Sequence, residues 1–280
     1  MKISGFTIAR NVIKYNYPIL ESIRSILPIC DEFIINVGDS EDGTLELLQT
    51  LDDPKIRIIR SVWDMNSGAT VLADETNRAL AECSGDWAFY LQSDEVIHEK
   101  DHRPLLNCMH KYLHDDQVDA LRLRWLHFYG SYYRYRIDYG WLQKSERIVK
   151  NSGQVESCGD AAGFRRKDQQ RLRHRATSCL LYHYGWVHPE EIMTQRRVNA
   201  ENIGFAKLRS EERIEKYSYG DLNRFPAYLG THPKVMEERV AQHELSQADW
   251  RLINGKLWYH PFKWLRVRYK TSKRGKTAVQ

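Results

Sequence analysis

Residues 85–95, GDWAFYLQSDE, constrain this chain more than any other stretch. Residues 87–91 form a continuous apolar run that stops abruptly at Gln92-Ser93-Asp94-Glu95. A run without polar alternation leaves no face for water. It therefore predicts a central strand covered on both sides, as in a parallel sheet. Open α/β sheets bind ligands just beyond the carboxyl ends of their strands, which is where these four polar residues fall. In isolation, a charged turn after a core strand reads the same way. The surrounding chain has to decide between the two.

Upstream, strand-like and helix-like segments alternate. Residues 2–9 (KISGFTIA) are β-prone and end at Arg10-Asn11. Leu20, Ile23 and Leu27 fall at helical spacing and predict a helix over 17–26. Residues 33–37 (FIINV) predict a second strand, followed by the acidic loop 38–44. A helix over 45–51 begins with acidic and hydroxyl residues, which suit its positive end. Residues 56–59 predict a third strand, and Ser67 is placed to cap a helix reaching Cys83. The resulting β-α-β-α-β-α-β order is that of a parallel sheet with helices on both faces. Its crossovers are expected to be right-handed.

After His98 the pattern changes. A helix around 105–113 leads to residues 118–125, where Leu121, Leu123 and Trp125 alternate with Arg122 and Arg124. Strict alternation predicts an antiparallel or edge strand. Residues 127–141 (HFYGSYYRYRIDYGW) are crowded with aromatics, suited either to stacking on a sugar or base or to packing over the sheet. Further strands are expected at 146–150 and 178–184. His188-Pro189-Glu190-Glu191 opens a helix to about Asn202, and Thr231-His232-Pro233 opens another through Val240.

Charge and cysteine usage exclude several classes. Residues 251–280 contain nine Lys and Arg and no Asp or Glu, so the overall net of +5 conceals a body of net −4. Such a body does not fit a nucleic-acid groove. The five cysteines lack CxxC or Cys/His spacing, which argues against a zinc site. No apolar run reaches the length of a membrane span, and residues 1–11 carry no cleavable leader pattern, so a cytoplasmic chain is expected. In the tail, aromatics interleave with cations over 258–276. That pattern suits peripheral contact with an anionic membrane face, or simple packing on the body.

Three polar strand ends now converge: Ala9-Arg10-Asn11, Gly38-Asp39-Ser40 and Gln92-Ser93-Asp94. With NVGDSEDGT at 36–44, Asn77 in the helix before GDWAFYL at 85–91, and QSDE at 92–95, the chain resembles the family 2 glycosyltransferases of GT-A fold. The variant with Gln first and Glu last looks like a subgroup of bacterial surface-polysaccharide transferases. The resemblance is best over residues 1–110 and thins towards 190. It implies an α/β, GT-A-type (Rossmann-like), mostly parallel sheet flanked by helices, with an antiparallel extension and a helical C-terminal appendage. We expect a catalytic domain over 1–205 and an appendage over 206–280. The implied activity is transfer of a sugar from a nucleotide-diphosphate donor to a hydroxyl of a saccharide or lipid-linked acceptor. A UDP- or GDP-sugar is the expected donor.

The resemblance also implies roles. Thr7, Arg10 and Asn11 fall where the family's first strand meets the nucleotide. An acid of the second loop, Asp39 or Asp42, is expected to accept from the base. The family's Asp-x-Asp metal motif appears as Gln92-Ser93-Asp94, leaving Asp94 as the ligand for Mn²⁺ or Mg²⁺ and Gln92 suited to the ribose or donor sugar. A divalent cation neutralises the diphosphate leaving group through carboxylate, water and phosphate oxygens. His183, past a late strand, is the second metal candidate. An inverting transfer also needs a general base. Asp160, in a Gly-flanked loop, is the first choice and Glu156 the second. Nucleotidyltransferases share the sheet order, but they need a Gly-rich, Lys-containing loop after the first strand, which residues 9–13 lack. A non-catalytic membrane- or nucleic-acid-binding protein acting through the tail is the other alternative.

Overall fold

The computed structural model describes residues 1–138, 141, 143–202, 216–243 and 249. Strands β1 (Ile3–Ala9), β2 (Glu32–Gly38), β3 (Ile56–Ser61) and β4 (Trp87–Tyr90) alternate with helices α1 (Ile19–Ile26), α2 (Thr44–Gln49) and α3 (Val71–Ala81). A short β5 (Glu95–Ile97) and α4 (His102–Tyr112) follow. Then come β6 (Ala120–Phe128), β7 (Tyr135–Arg136), β8 (Lys144–Lys150), β9 (Val155–Cys158), β10 (Gly163–Arg166) and β11 (His174–His183). Helices α5 (Glu190–Asn202) and α6 (Glu237–Ala241) come last.

The main sheet runs β3-β2-β1-β4-β8-β6-β11-β5, with β7 paired to β6. Strands β3, β2, β1 and β4 are parallel. Direction reverses at β8, which is antiparallel to both β4 and β6. Strand β11 is parallel to β6 and antiparallel to β5. A separate hairpin joins β9 and β10. This is the expected GT-A-type α/β architecture, a parallel half with helices joined to an antiparallel extension.

The apolar run at 87–91 is explained by burial on both faces. Trp87 and Phe89 pack with Ile23 and Ile26 of α1 and Leu105 and Met109 of α4. Ala88 and Tyr90 face the other way, towards Phe6, Leu80 of α3 and Phe164 of β10. Burying large apolar side chains contributes roughly 1.5–3 kcal/mol each. The strand is thereby fixed, and so is the start of the polar segment that follows it.

Glu95, the last of the four polar residues, opens a strand, and its carboxylate is fully buried against Arg147. One expectation shifts. Ser67 does not cap α3. Asp64 accepts from the Asn66 amide at the start of a 3₁₀ segment, Met65–Thr70, and Gly68 breaks its helical backbone.

The aromatic loop turns out to be mainly packing. Phe128 and Tyr132 are buried with Tyr184, and Arg136 lies over the rings of Tyr129 (4.7 Å) and Trp141 (4.4 Å).

One compact unit spans Met1–Glu244, so residues 216–243 belong with the sheet although they lie past position 205. Arg239 of α6 anchors them to the first crossover. It donates to Glu21 Oε1 at 2.6 Å and to Asn16 Oδ1 at 3.0 Å. The basic, aromatic stretch 258–276 lies outside the described residues. Among those described, no helix is long and apolar enough to cross a membrane.

Candidate active site

The polar strand ends of β1, β4 and β11 open onto a cleft of about 340 Å³. Arg10, Gln92, Ser93, Asp94 and His183 all line it, so the structure brings together five of the residues singled out from the sequence. The lining also includes Arg196 and Arg197 from α5, apolar Ile8, Trp63 and Met65, and Tyr15 and Tyr17 from the first crossover. Three guanidinium groups thus face the cleft, and Asp94 supplies the carboxylate among its described lining residues. Such a balance favours an anionic ligand.

Asp94 is held from both sides. Its Oδ2 accepts from Arg196 Nη2 at 3.0 Å, and its Oδ1 lies 3.7 Å from His183 Nε2. Its backbone carbonyl accepts from the Tyr184 amide at 2.8 Å, which ties the loop after β4 to the end of β11. The Arg196 guanidinium lies 4.2 Å from the Tyr17 ring centroid, and its Nη1 donates to the Gly185 carbonyl at 2.8 Å. Burial pushes the His183 imidazole below its ordinary pKa, against the raising effect of the Asp94 carboxylate. The ring is therefore neutral near pH 7 and retains a lone pair for a metal.

The donor set fits a divalent cation. A carboxylate oxygen and a neutral imidazole nitrogen are juxtaposed on the cleft wall. No group of three or more His, Cys, Asp and Glu side chains suited to a metal occurs among the described residues. The protein would supply two ligands, and oxygens of a bound diphosphate and water the others.

Gly185 is the residue that permits this approach. A Cβ there would lie 2.6 Å from Asp94 Oδ2 and 2.7 Å from His183 Cε1. Gly185→Ala is therefore expected to displace both side chains. A misplacement of this order lowers turnover about 10²-fold, to be read as kcat/KM for the donor with the thermal melt unchanged.

The remaining candidates separate into ligand-facing and supporting groups. Asp39 is half exposed. Its carbonyl accepts from Arg10 Nε at 3.0 Å, and its Oδ1 accepts from the Trp63 amide at 3.2 Å, so it sits between two cleft-lining residues. Gln92 Nε2 donates to the Ala161 carbonyl at 3.2 Å, linking the cleft to the β9–β10 turn. Ser93 Oγ donates to the Ile8 carbonyl at 3.1 Å. Thr7, expected at the nucleotide, is wholly buried, and its hydroxyl donates to the Leu91 carbonyl at 2.7 Å. It joins β1 to the chain leaving β4. Asn11 and Asp42 likewise bond neighbouring backbone, and neither is among the lining residues of the cleft. Asn11 Oδ1 accepts from the Glu41 amide, while the Asp42 carboxylate takes the amides of Lys14 and Thr44. Both satisfy backbone donors of neighbouring loops. Asp160 is exposed in the β9–β10 turn, with Oδ1 accepting from the Ala162 amide at 3.1 Å. Glu156 is paired with Arg165 at 2.8 Å.

A family model, glycosyl transferase family 2, matches residues 6–173, well over half of the chain. The chain belongs to glycosyl transferase family 2. Its members are glycosyltransferases. Among solved structures, S. aureus TarS is similar at 19% identity, over 75% of this chain and 41% of that one, with a TM-score of 0.42. S. aureus TarS 1-349 in complex with UDP-GlcNAc is similar at 14% identity, over 75% and 68%, with a TM-score of 0.44. Glucosyl-3-phosphoglycerate synthase from Mycobacterium tuberculosis, in complex with Mn²⁺, UDP and phosphoglyceric acid, is similar at 19% identity, over 44% and 43%, with a TM-score of 0.30. No curated protein gives a significant match.

The glycosyltransferase cleft includes residues that sequence reasoning missed. Arg196 and Arg197 sit on a polar helix beyond the family match, and nothing local distinguishes them from surface arginines. Trp63 follows β3 and packs against Gly38, where a Cβ would lie 2.5 Å from its indole nitrogen. The glycine ending β2 was a signal for a close neighbour, but not for which one.

Proposed function

We propose that this glycosyltransferase moves a sugar from a UDP- or GDP-sugar to a hydroxyl of a saccharide or lipid-linked acceptor, with inversion at the anomeric carbon. In this reading it works with Mn²⁺ or Mg²⁺ held by Asp94 and His183. The observation that carries the reading is the Asp94–His183 pair on a cleft that also presents Arg10, Arg196 and Arg197. A bound divalent cation would neutralise charge on the departing diphosphate. Arg196, already within hydrogen-bond range of Asp94, is suited to hold the same diphosphate from the side of α5. Asp39 accepts from the base, with Trp63 and Ile8 supplying apolar surface beside it.

The acceptor oxygen attacks the anomeric carbon, and its proton passes to a carboxylate. The bond from that carbon to the diphosphate oxygen breaks, with the electron pair leaving on the diphosphate. We assign the proton to Asp160. Support comes from its exposure and from the Ala161–Gln92 hydrogen bond, which sets the turn beside the cleft. Glu156, engaged by Arg165, is the second choice. Trp186, also on the cleft, offers a flat apolar face for the acceptor sugar. The tail, 258–276, would bring the enzyme to a lipid-linked acceptor at the cytoplasmic membrane face. A body of net −4 does not suit nucleic acid.

A thermal-shift screen of UDP-, GDP-, CMP- and dTDP-sugars with and without Mn²⁺ tests this. At about 100-fold excess over Kd, binding should add about 2.7 kcal/mol, raising the melting temperature by about 5–10 °C. The rise should be larger with Mn²⁺ and a sugar nucleotide together than with either alone. Stabilisation by nucleoside triphosphates instead, with pyrophosphate release, would favour a nucleotidyltransferase.

A further inference from the structure

His183 is not alone on its face of the sheet. Strands β6 and β11 pair in parallel with His127 opposite His183. The two imidazoles meet through their Nδ1 atoms at 3.0 Å, with both residues buried. Trp125 stacks on the His183 ring with centroids 5.0 Å apart, and lies 4.6 Å from His127. Trp141 meets His127 edge-on at 5.1 Å. The two rings are therefore fixed in position as well as in contact.

Two imidazoles facing through Nδ1 share one proton between those atoms, so one donates and the other accepts. The choice decides what His183 presents to the cleft. If its Nδ1–H donates, its Nε2 carries a lone pair on the side of Asp94 Oδ1, 3.7 Å away. If His127 donates instead, His183 carries its proton on Nε2 and has no lone pair to offer there. Metal-bound histidines usually obtain this control from a carboxylate or carbonyl beyond them. Here a second imidazole occupies that place.

We propose that His127 is a positioning residue that accepts the Nδ1 proton of His183, so that the His183 Nε2 lone pair is offered, with Asp94, to the divalent cation of the donor complex. This rests on the metal reading above. Outer partners of this kind are worth about 10–100-fold in metal affinity.

The test compares His127→Leu with His127→Asn, two side chains of nearly the same shape. Only Asn presents an oxygen near the lost Nδ1. Mn²⁺ is titrated into full-length protein saturated with UDP, and free Mn²⁺ is read by electron paramagnetic resonance. His127→Leu should bind Mn²⁺ about 10–100-fold more weakly than the unsubstituted protein, and His127→Asn should recover most of that loss. UDP binding without metal should be the same in all three. Equal affinity in the Leu variant overturns the proposal. Equal loss in Leu and Asn also overturns it, because it marks a packing role only. Long-range ¹H–¹⁵N spectra of the unsubstituted protein provide a reading that needs no variant. They should show His183 protonated on Nδ1 and His127 on Nε2, and the reverse overturns the proposal. Absence of Mn²⁺ binding in the unsubstituted UDP complex would overturn the metal reading itself and this proposal with it, an outcome distinct from a variant that fails to weaken binding.

Discussion

Asp94→Asn is expected to lower turnover on the order of 10²–10³-fold, the usual result of removing one well-placed electrostatic group from a reaction centre. The substitution keeps the shape and the backbone. The Asp94 carbonyl still accepts from Tyr184, so the loop after β4 stays in register with β11. What disappears is the negative charge between Arg196 and His183. Without it, a cation bound there would lose its carboxylate ligand, and Arg196 loses its partner. Donor affinity measured without metal should change little, because Arg10, Arg196 and Arg197 still line the cleft. The defect should therefore appear in metal affinity and turnover together. Turnover within about threefold of the unsubstituted enzyme, against an expected loss of that order, would remove Asp94 from the reaction.

Glu95 and Arg147 carry the largest expected effect on stability. Both side chains are fully buried. Arg147 Nε and Nη2 each donate to one Glu95 oxygen at 2.8 Å, and Nη1 reaches Ser145 Oγ and the Ala162 carbonyl, also at 2.8 Å. Glu95 Oε2 accepts in addition from the Gln92 amide at 2.9 Å. The pair thus ties the loop after β4, strand β8 and the β9–β10 turn into one block beneath the cleft. Removing one partner leaves a buried charge uncompensated. Arg147→Met or Glu95→Gln should therefore destabilise the fold by about 3–5 kcal/mol, measured by denaturant unfolding. The double substitution Glu95→Gln with Arg147→Met should lose less than the two singles added together. Strict additivity would mean that the ion pair is not the stabilising unit.

The fold was legible wherever a strand is buried on both faces, because an apolar run such as 87–91 then has only one interpretation. Strands β1, β2 and β4 are buried on both faces in this way, and with the half-exposed edge strand β3 and the helices between them they make up the parallel half. Strand β5 was not legible. Its three residues are too few for a pattern, and Glu95 within it reads as a surface acid until Arg147, 52 positions on, is seen against it.

The site divides along a similar line. Gln92, Ser93, Asp94 and Arg10 end strands, and strand ends face ligands, so position alone brought them together. Thr7, Asn11 and Asp42 are of the same polar types and adjoin the same strands. Each satisfies a neighbouring backbone group instead, a distinction that depends on side-chain direction. Arg196 and Trp63 reach the cleft only through the packing of α5 and the approach of the chain after β3. No residue near either in sequence announces that arrangement.

In the proposed mechanism, Asp94 and His183 hold a divalent cation against a nucleotide diphosphate. Anomalous scattering from crystals of the Mn²⁺–UDP complex tests it most directly. A manganese peak is expected in contact with both Asp94 and His183, with UDP phosphate oxygens completing its surroundings and the base beside Asp39. A manganese peak elsewhere, or UDP bound in the cleft with Asp94 still paired to Arg196 and carrying no manganese, would contradict it.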